Sequence, residues 1–328
     1  MPNLTTKYMG LVLRNPLIVG SSGLTQSLER LRKAEDAGAG AVVLKSIFEE
    51  QIEREVEGLA EASAPSMGHS EAMDYISSYG REHAVGEYLE LIRGAKKALR
   101  VPVLASVHCD RGGSWTEFAK RAEVAGADGL ELNIFLLPCD ANRDGRSYEQ
   151  AYLDIVREVR AQVKIPIALK VGTYFSGLAE FLGRLSRTGV NGLVLFNRFY
   201  RLDFDIENFR LIPAGSFSSP EEIVESLRWI SLLVKSAGCD LAATTGIHDG
   251  AGVIKQLLAG AAATQVCSVL YKQDLSHLRK ILGEVEEWMG RHGFETIEQF
   301  RGAMSRDQSD DPSSYLRVQF MRFSINAP

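Results

Sequence analysis

Charged and polar side chains stand where short apolar segments of this sequence end. Lys45 closes the segment AVVLK and Lys170 closes IALK. Burying a lysine is costly unless its ammonium group meets an anion or a polar ligand, although pairing with a neighbouring carboxylate is an alternative. The other polar residues at such ends are Ser21, Ser22, Ser46, Ser106, His108, Asn133 and Asn197. We expect these side chains to converge on one polar ligand site.

Two later segments, TTGIHDG and VCSVLY, have the composition of phosphate-binding turns. Gly246 lets the backbone approach an anion, and Ser268 offers a hydroxyl group just before a predicted helix. Backbone N–H groups at the start of a helix bind phosphate well. An ordinary turn with an N-cap residue is the alternative. Together with the two lysines, these turns indicate a phosphorylated cofactor.

Several common functional motifs are missing from the sequence. It contains no GxGxxG after a predicted strand, no GxxxxGK[ST] and no HExxH, which excludes the usual nicotinamide, nucleoside triphosphate and zinc-protease signatures. The cysteines are far apart without a CxxC pair, so we expect neither a disulfide framework nor a zinc-thiolate site. His108, Cys109 and Asp110 form one short cluster, which supplies too few converging ligands for a metal. We expect no metal site. The cysteines are Cys109, Cys139, Cys239 and Cys267.

Eight short apolar segments alternate with amphipathic segments of helical period. The predicted strands are residues 16–20, 41–46, 101–107, 129–134, 165–171, 192–197, 241–245 and 264–268. The predicted helices are residues 25–37, 86–99, 115–125, 148–163, 178–187, 220–236, 250–259 and 275–290. Phrases such as AEDAGAGAVVL and AEVAGADGLEL recur where a helix ends at glycine and a buried strand follows. This order predicts an α/β fold, a (β/α)8 TIM barrel, with a doubly wound open sheet as the alternative.

The length of 328 residues fits one barrel domain with long loops after its strands. Residues 47–85 and 198–219 are the long loops, and both leave the carboxyl ends of strands, where barrel active sites lie. Residues 305–328 read as a C-terminal tail that begins with a solvated turn. We expect a single domain over residues 1–328.

The charge balance argues against bulk binding of nucleic acid. Lys and Arg number 37 against 42 Asp and Glu, for a formal net charge of −5. The first ten residues have no basic region followed by an apolar region, and no apolar run approaches the ~18 residues of a membrane span. We expect a cytoplasmic protein that binds neither nucleic acid nor membrane.

As a set, seven segments of the chain resemble the dihydroorotate dehydrogenase family of FMN-containing barrel enzymes, most of all the soluble class 1 type. They are NPLIVGSSG, AVVLKSIF, YISSYG, LELNIFLLPC, IPIALKVGTYF, TTGIHDGAGVIKQLLAGAAATQVCSVLY and GFETIEQFRG. The resemblance implies oxidation of dihydroorotate to orotate in pyrimidine biosynthesis. In that reaction a base takes a proton from C5 while hydride leaves C6 for flavin N5. It also implies FMN, a homodimer and an electron acceptor, which could be fumarate, a quinone or an iron–sulfur partner subunit.

The resemblance also implies roles for individual residues. Lys170 supports the N1/O2 edge of the flavin, while Lys45 and Ser46 contact its ring and the substrate region. The implied substrate-binding residues are Lys45, Ser77, Asn133 and Asn197. The implied flavin-binding residues are Ser21, Ser22, Gly23, Lys45, Ser46, Asn133, Lys170, Asn197, Gly246 and Ser268.

The loop that carries the family's base departs from the family pattern. The base, a Cys in class 1 and a Ser in class 2, lies three residues after the asparagine, and Leu136 stands there. Cys139 is the candidate base if the loop is shifted, which gives Cys139, Lys45 and Lys170 as the catalytic set. Ser77 also replaces the asparagine expected in another loop. A divergent FMN oxidoreductase with a different substrate and a catalytically silent FMN-binding subunit are therefore the alternative functions.

Overall fold

Short apolar segments form a closed cylinder of parallel strands, because strands that are buried on both faces need helices outside and side chains inside. The computed structural model describes residues 2–48, 70–108, 114–198 and 201–316, without the side chains of residues 48, 70–82, 114 and 115. The barrel strands are β1 Leu17–Val19, β2 Ala41–Val43, β3 Val103–His108, β4 Gly129–Asn133, β5 Ile167–Val171, β6 Gly192–Leu195, β7 Asp240–Thr244 and β8 Ala263–Val266.

Hydrogen bonds between neighbouring strands close the sheet on itself. β1 pairs with β2 and with β8, β2 pairs with β3, and the other strands follow in sequence order. In this register Ile18 lies opposite Ala41 on one side and Gln265 on the other. The eight predicted strands and the (β/α)8 barrel are confirmed. The open doubly wound sheet is wrong, because an open sheet leaves two edge strands that this sheet does not have.

Amphipathic helices surround the barrel and cover the outer faces of its strands. Several begin at a polar cap; for example, Asp249 Oδ1 accepts a hydrogen bond from the N–H of Gly252 at 2.7 Å. The helices are α1 Leu28–Asp36, α2 Ser70–Ala98, α3 Ser114–Ala125, α4 Gly145–Gln162, α5 Leu178–Leu185, α6 Ile223–Leu233, α7 Gly250–Ala259 and α8 His277–His292.

An N-terminal hairpin that the sequence analysis did not predict closes one end of the barrel. It pairs Thr6–Tyr8 with Leu11–Leu13 in an antiparallel register. The N–H of Met9 donates to Asp240 Oδ2 at 2.8 Å, and Thr6 Oγ1 donates to Ala262 O at 3.0 Å. Both acceptors lie where β7 and β8 begin. The hairpin therefore covers the amino ends of the strands, opposite the end where their polar residues lie.

Other differences from the prediction fall in the long loops. α2 begins at Ser70, so part of the predicted loop 47–85 is helical. A second hairpin, Leu202–Asp205 with Arg210–Pro213, lies within the predicted loop 198–219. A short helix, Ser268–Gln273, precedes α8. Each of these additions lies on the side of the barrel where the strands end.

The segment after α8 is partly folded against the protein. The predicted solvated turn begins at Ser305, which is fully buried, and continues in the 3-10 helix Arg306–Gln308. A further 3-10 helix spans Pro312–Tyr315, and the rest of the predicted tail, residues 317–328, lies outside the described residues. In the part of the chain that the structure describes, no helix has the length and apolar character needed to cross a membrane.

Candidate active site

An amide pair joins the ends of three neighbouring strands. Asn133 lies opposite Lys170 in the register of β4 and β5, and Asn197 follows β6. The backbone N–H of Asn197 donates to Val171 O at 2.8 Å, which extends the pairing of β5 and β6. The side-chain Nδ2 of Asn197 donates to Asn133 Oδ1 at 2.8 Å. The two predicted amide residues therefore lie together and orient each other.

Three serine hydroxyl groups form a chain across the ends of β1, β2 and β3. Ser21 Oγ lies 3.0 Å from Ser46 Oγ and also accepts from the backbone N–H of Ser46 at 2.8 Å. Ser46 Oγ lies 2.7 Å from the buried Ser106 Oγ. Tyr88 fixes Ser106 in turn, since its hydroxyl donates to Ser106 O and accepts from Ser106 N–H. This chain positions two of the predicted flavin-binding serines.

Lys45 and Lys170 are half-buried at the same end of the barrel. Among the described residues, neither ammonium group makes a hydrogen bond or an ion pair, so the alternative of pairing with a carboxylate finds no partner there. Half-buried cations without a partner are unfavourable unless a ligand supplies negative charge or polar acceptors. The two lysines thus suit a ligand with anionic or polar edges.

The turn after β7 requires glycine at position 246. Gly246 has φ +77°, and a Cβ atom there would lie 2.2 Å from the backbone N of Ile223 at the start of α6. The turn therefore packs directly against the start of α6, where the N–H of Ile223 already donates to the carbonyl groups of Pro220 and Glu221. At the turn after β8, Ser268 Oγ accepts a hydrogen bond from the N–H of Ser218 at 3.0 Å. The two predicted phosphate-type turns are brought together with residues 218–223 between them.

The turn after β1 lies beside the short helix that follows β8. Ser22 caps the 3-10 helix Gly23–Thr25, and its hydroxyl accepts from the N–H of Leu24 at 3.3 Å. A Cβ atom on Gly23 would lie 2.7 Å from the hydroxyl oxygen of Tyr271, which stands on the short helix after β8. A larger residue at position 23 would therefore require the exposed side chain of Tyr271 to shift.

Cys267 is a site residue that the sequence analysis did not single out. Burial raises the pKa of its thiol, and a hydrogen bond with Ser22 and the charge of Lys170 lower it without outweighing the burial. Both of these neighbours are predicted flavin-binding residues. Its position directly before Ser268 is the sequence signal that would have found it.

A buried acid that the sequence analysis missed lies on β4 below the amide pair. Glu131 is 1% exposed and precedes Asn133 by two residues, so both side chains lie on the inner face of the strand. Its carboxylate accepts a hydrogen bond from the side-chain amide of Gln265 on β8. This contact spans the barrel interior beneath the predicted site.

The loop after β4 begins with apolar residues that are held in place. Tyr152 on α4 donates its hydroxyl to Ile134 O at 3.0 Å and accepts from the N–H of Leu136 at 3.2 Å. Burial raises the pKa of this tyrosine to about 12. Leu136 is half-buried against the core, whereas Cys139 is exposed and its thiol has no hydrogen-bond partner among the described residues. A half-buried apolar side chain therefore stands three residues after Asn133, where the resemblance places the family's base.

The structure brings most of the predicted site residues together at the carboxyl ends of the strands. Cys139 lies farther out on its loop, and the side chain of Ser77 lies outside the described residues. In the same described part, no cluster of three metal-ligating side chains was found. The residues that lie together are Ser21, Ser22, Gly23, Lys45, Ser46, Asn133, Lys170, Asn197, Gly246 and Ser268.

Comparison with known proteins identifies the same family that the sequence resembles. The family model of dihydroorotate dehydrogenase matches residues 3–289. The catalytic subunit of dihydroorotate dehydrogenase B (NAD(+)) from Thermoplasma volcanium is 26% identical over 315 residues, which are 92% of this chain and 98% of that protein. The corresponding subunit from Pyrococcus abyssi is 27% identical over 316 residues, 91% of this chain and 98% of that protein.

A relative with a different name also matches. The chloroplastic dihydropyrimidine dehydrogenase (NADP(+)) of Arabidopsis thaliana is 24% identical over 329 residues, which cover 92% of this chain and 76% of that protein. The residues of the family model nevertheless span the whole barrel and each of the strand ends described above. On the strength of that match, this chain belongs to the dihydroorotate dehydrogenase family.

Proposed function

We propose that this protein is an FMN-dependent dehydrogenase that oxidises dihydroorotate to orotate, a reaction of pyrimidine biosynthesis. The observation that supports this proposal is that several features meet at one end of the barrel. They are two lysines without a partner in the described part of the chain, an amide pair and two phosphate-type turns. Residues 1–328 then form one FMN-binding domain, with residues 305–328 as its C-terminal tail.

The residues present fit FMN. Its phosphate suits the turns at Gly246 and Ser268, which pack on helix N-termini. The polar edges of its ring suit Lys170, Lys45 and the chain of serine hydroxyl groups. When bound, FMN supplies the hydride acceptor of the reaction, and the protein supplies binding, orientation and electrostatics.

Three tasks then fall to this chain's own side chains. Asn133 and Asn197, which orient each other, would hold the substrate, and Lys45 would contact it beside the cofactor. Lys170 would stabilise negative charge that develops during oxidation. Cys139 is the proposed acceptor of the C5 proton, a task that requires its thiolate form. Its thiol is exposed and so open to a substrate, and the loop would have to bring it closer to the amide pair for this role.

A divergent FMN oxidoreductase with another small-molecule substrate is the second candidate. The half-buried Leu136 at the base position favours it, because leucine cannot accept a proton. A cavity of about 970 Å³ beside Asn197 favours it too, since its wall combines the apolar Phe135 with the charged Arg198 and Glu222 and would suit a substrate larger than dihydroorotate.

The proposed reaction requires an electron acceptor, for which fumarate, a quinone and an iron–sulfur partner subunit are the candidates. The two archaeal relatives described above are named as catalytic subunits of NAD(+)-linked enzymes. We propose a homodimer, supported by the hairpin Leu202–Asp205 with Arg210–Pro213. Its side chains Phe204 and Leu211 are each 65% exposed, and such apolar patches mark interfaces. Sedimentation equilibrium checks this, and a monomer at micromolar concentration contradicts it.

Anaerobic addition of dihydroorotate to the purified yellow protein tests the proposed reaction. We expect the visible absorbance of the oxidised flavin to bleach as orotate appears. Bleaching by other reductants but not by dihydroorotate favours the divergent enzyme. A bound flavin that no component of a cell extract bleaches favours the catalytically silent subunit.

A further inference from the structure

We propose that Arg198 is a positioning residue that holds residues 215–219 against the phosphate-type turns and thereby sets the affinity for the cofactor. The inference rests on the proposed FMN function and concerns a residue that no motif in the sequence indicated. Arg198 follows Asn197 directly in the chain. It therefore connects the amide pair with the segment that lies over the turns.

The guanidinium group of Arg198 donates to three consecutive carbonyl groups. Nη2 donates to Gly215 O at 2.9 Å and to Phe217 O at 3.3 Å, and Nη1 donates to Ser216 O at 3.5 Å. Nε lies 3.0 Å from Glu222 Oε2, and the side chain of Arg198 is only 18% exposed. A planar guanidinium carries five donors in fixed directions, so it can fix several acceptors at once, which an ammonium group cannot.

The segment held by Arg198 is attached to both phosphate-type turns through Ser218. The N–H of Ser218 donates to Ser268 Oγ at 3.0 Å, and its hydroxyl lies 3.1 Å from His248 Nε2. Lys272 donates to Ser218 O at 3.0 Å. His248 belongs to the turn after β7, and Ser268 and Lys272 belong to the short helix after β8. Ser218 is buried, so the segment forms part of the wall around these turns.

Glu222 continues the contact from Arg198 to the start of α6. One of its carboxylate oxygens accepts from the N–H of Ser219 at 2.9 Å, and the other accepts from Arg201 at 2.8 Å. Burial alone would raise the pKa of Glu222, but hydrogen bonds from Arg198 and Ser219 and the charges of both arginines bring it below its ordinary value. The carboxylate is therefore charged and fixed where α6 begins, next to the turn after β7.

Loss of the guanidinium group would release this wall. Three carbonyl groups would lose their donor, and Glu222 would keep only the N–H of Ser219 and Arg201, whose side chain is 55% exposed. The segment could then move away from the turns, and the N–H groups around them would no longer be preorganised for an anion. Cofactor affinity should fall while the barrel stays folded, because the guanidinium group donates no hydrogen bond to the barrel strands among the described residues.

The rate at which the holoprotein releases FMN on dilution tests this inference, followed by the rise in FMN fluorescence. We expect Arg198→Met to release FMN at least about tenfold faster than wild type, the factor that corresponds to one or two lost hydrogen bonds. Arg201→Met is the matched control, because Arg201 pairs with the same carboxylate but holds no carbonyl of residues 215–217. Its release rate should stay within about twofold of wild type, as for other exposed ion pairs.

Arg198→Lys is the second variant, should Arg198→Met fold poorly. It keeps the positive charge beside Glu222 but loses the planar set of N–H donors, so it should also release FMN faster than Arg201→Met does. Equal release rates in Arg198→Lys, Arg201→Met and wild type would contradict the proposed role of Arg198 and leave the proposed FMN function intact. A wild-type protein that holds no FMN overturns this inference together with the proposed function.

Discussion

Lys170→Ala is expected to speed the release of FMN or to slow flavin reduction by more than about tenfold, because a fixed cation beside developing charge is worth a few kcal/mol. Lys170 is half-buried on β5, and its ammonium group has no partner within the described residues. Removing it takes away the charge without freeing a carboxylate. Stopped-flow measurement of flavin bleaching and fluorescence measurement of FMN release report the two effects separately.

Lys164→Ala is the matched control for this experiment. Lys164 is exposed and lies just before β5 begins, at the opposite end of the barrel. Both variants remove one positive charge from the same part of the chain. Equal kinetics in Lys170→Ala, Lys164→Ala and wild type would remove Lys170 from the proposed cofactor site.

Cys139→Ala is expected to lower the rate of flavin bleaching by dihydroorotate by about 10²–10⁴-fold, the usual cost of losing a positioned general base. Stopped-flow measurement of flavin bleaching by dihydroorotate checks this. Cys239→Ala is a suitable control, since Cys239 precedes β7 at the closed end of the barrel and burial raises its thiol pKa to about 12.

A different outcome would identify the alternative. If dihydroorotate bleaches the wild-type flavin and Cys139→Ala leaves the rate unchanged, another group accepts the proton. If the wild-type protein holds FMN but dihydroorotate does not bleach the flavin, Leu136 at the base position indicates a substrate other than dihydroorotate. Leu136 is fixed by the hydrogen bond between its N–H and Tyr152, so the loop keeps an apolar residue at this position.

The barrel was predictable because its strands are apolar on both faces and its helices are amphipathic. In a protein of this size, a run such as Ile167–Val171 is expected to form a strand that is buried on both faces of a parallel sheet. The hairpin Leu202–Asp205 with Arg210–Pro213 could not be predicted in the same way. Leu202–Asp205 does alternate apolar and polar residues, but only over four residues, and its apolar side chains are largely exposed, so no core position indicated the pairing. The N-terminal hairpin was missed because its two strands have only three residues each.

The candidate site was predictable where a polar residue follows an apolar strand directly, as Lys170 and Asn133 do. Such residues stand out because burying them without a ligand or partner is costly. Arg198 and Glu131 were missed for another reason. The partners of Arg198 lie up to 24 residues away in the chain, and the partner of Glu131 lies 134 residues away. Only the folded barrel brings these groups into contact.

Identification of the cofactor tests the central claim most directly. The protein is purified under native conditions and denatured, and the released compound is identified by chromatography against FMN and FAD. We expect a yellow protein that releases FMN, because the turns at Gly246 and Ser268 offer one phosphate-binding place beside the two lysines. Release of FAD, or a colourless protein that takes up no FMN on reconstitution, would contradict the flavin site proposed here.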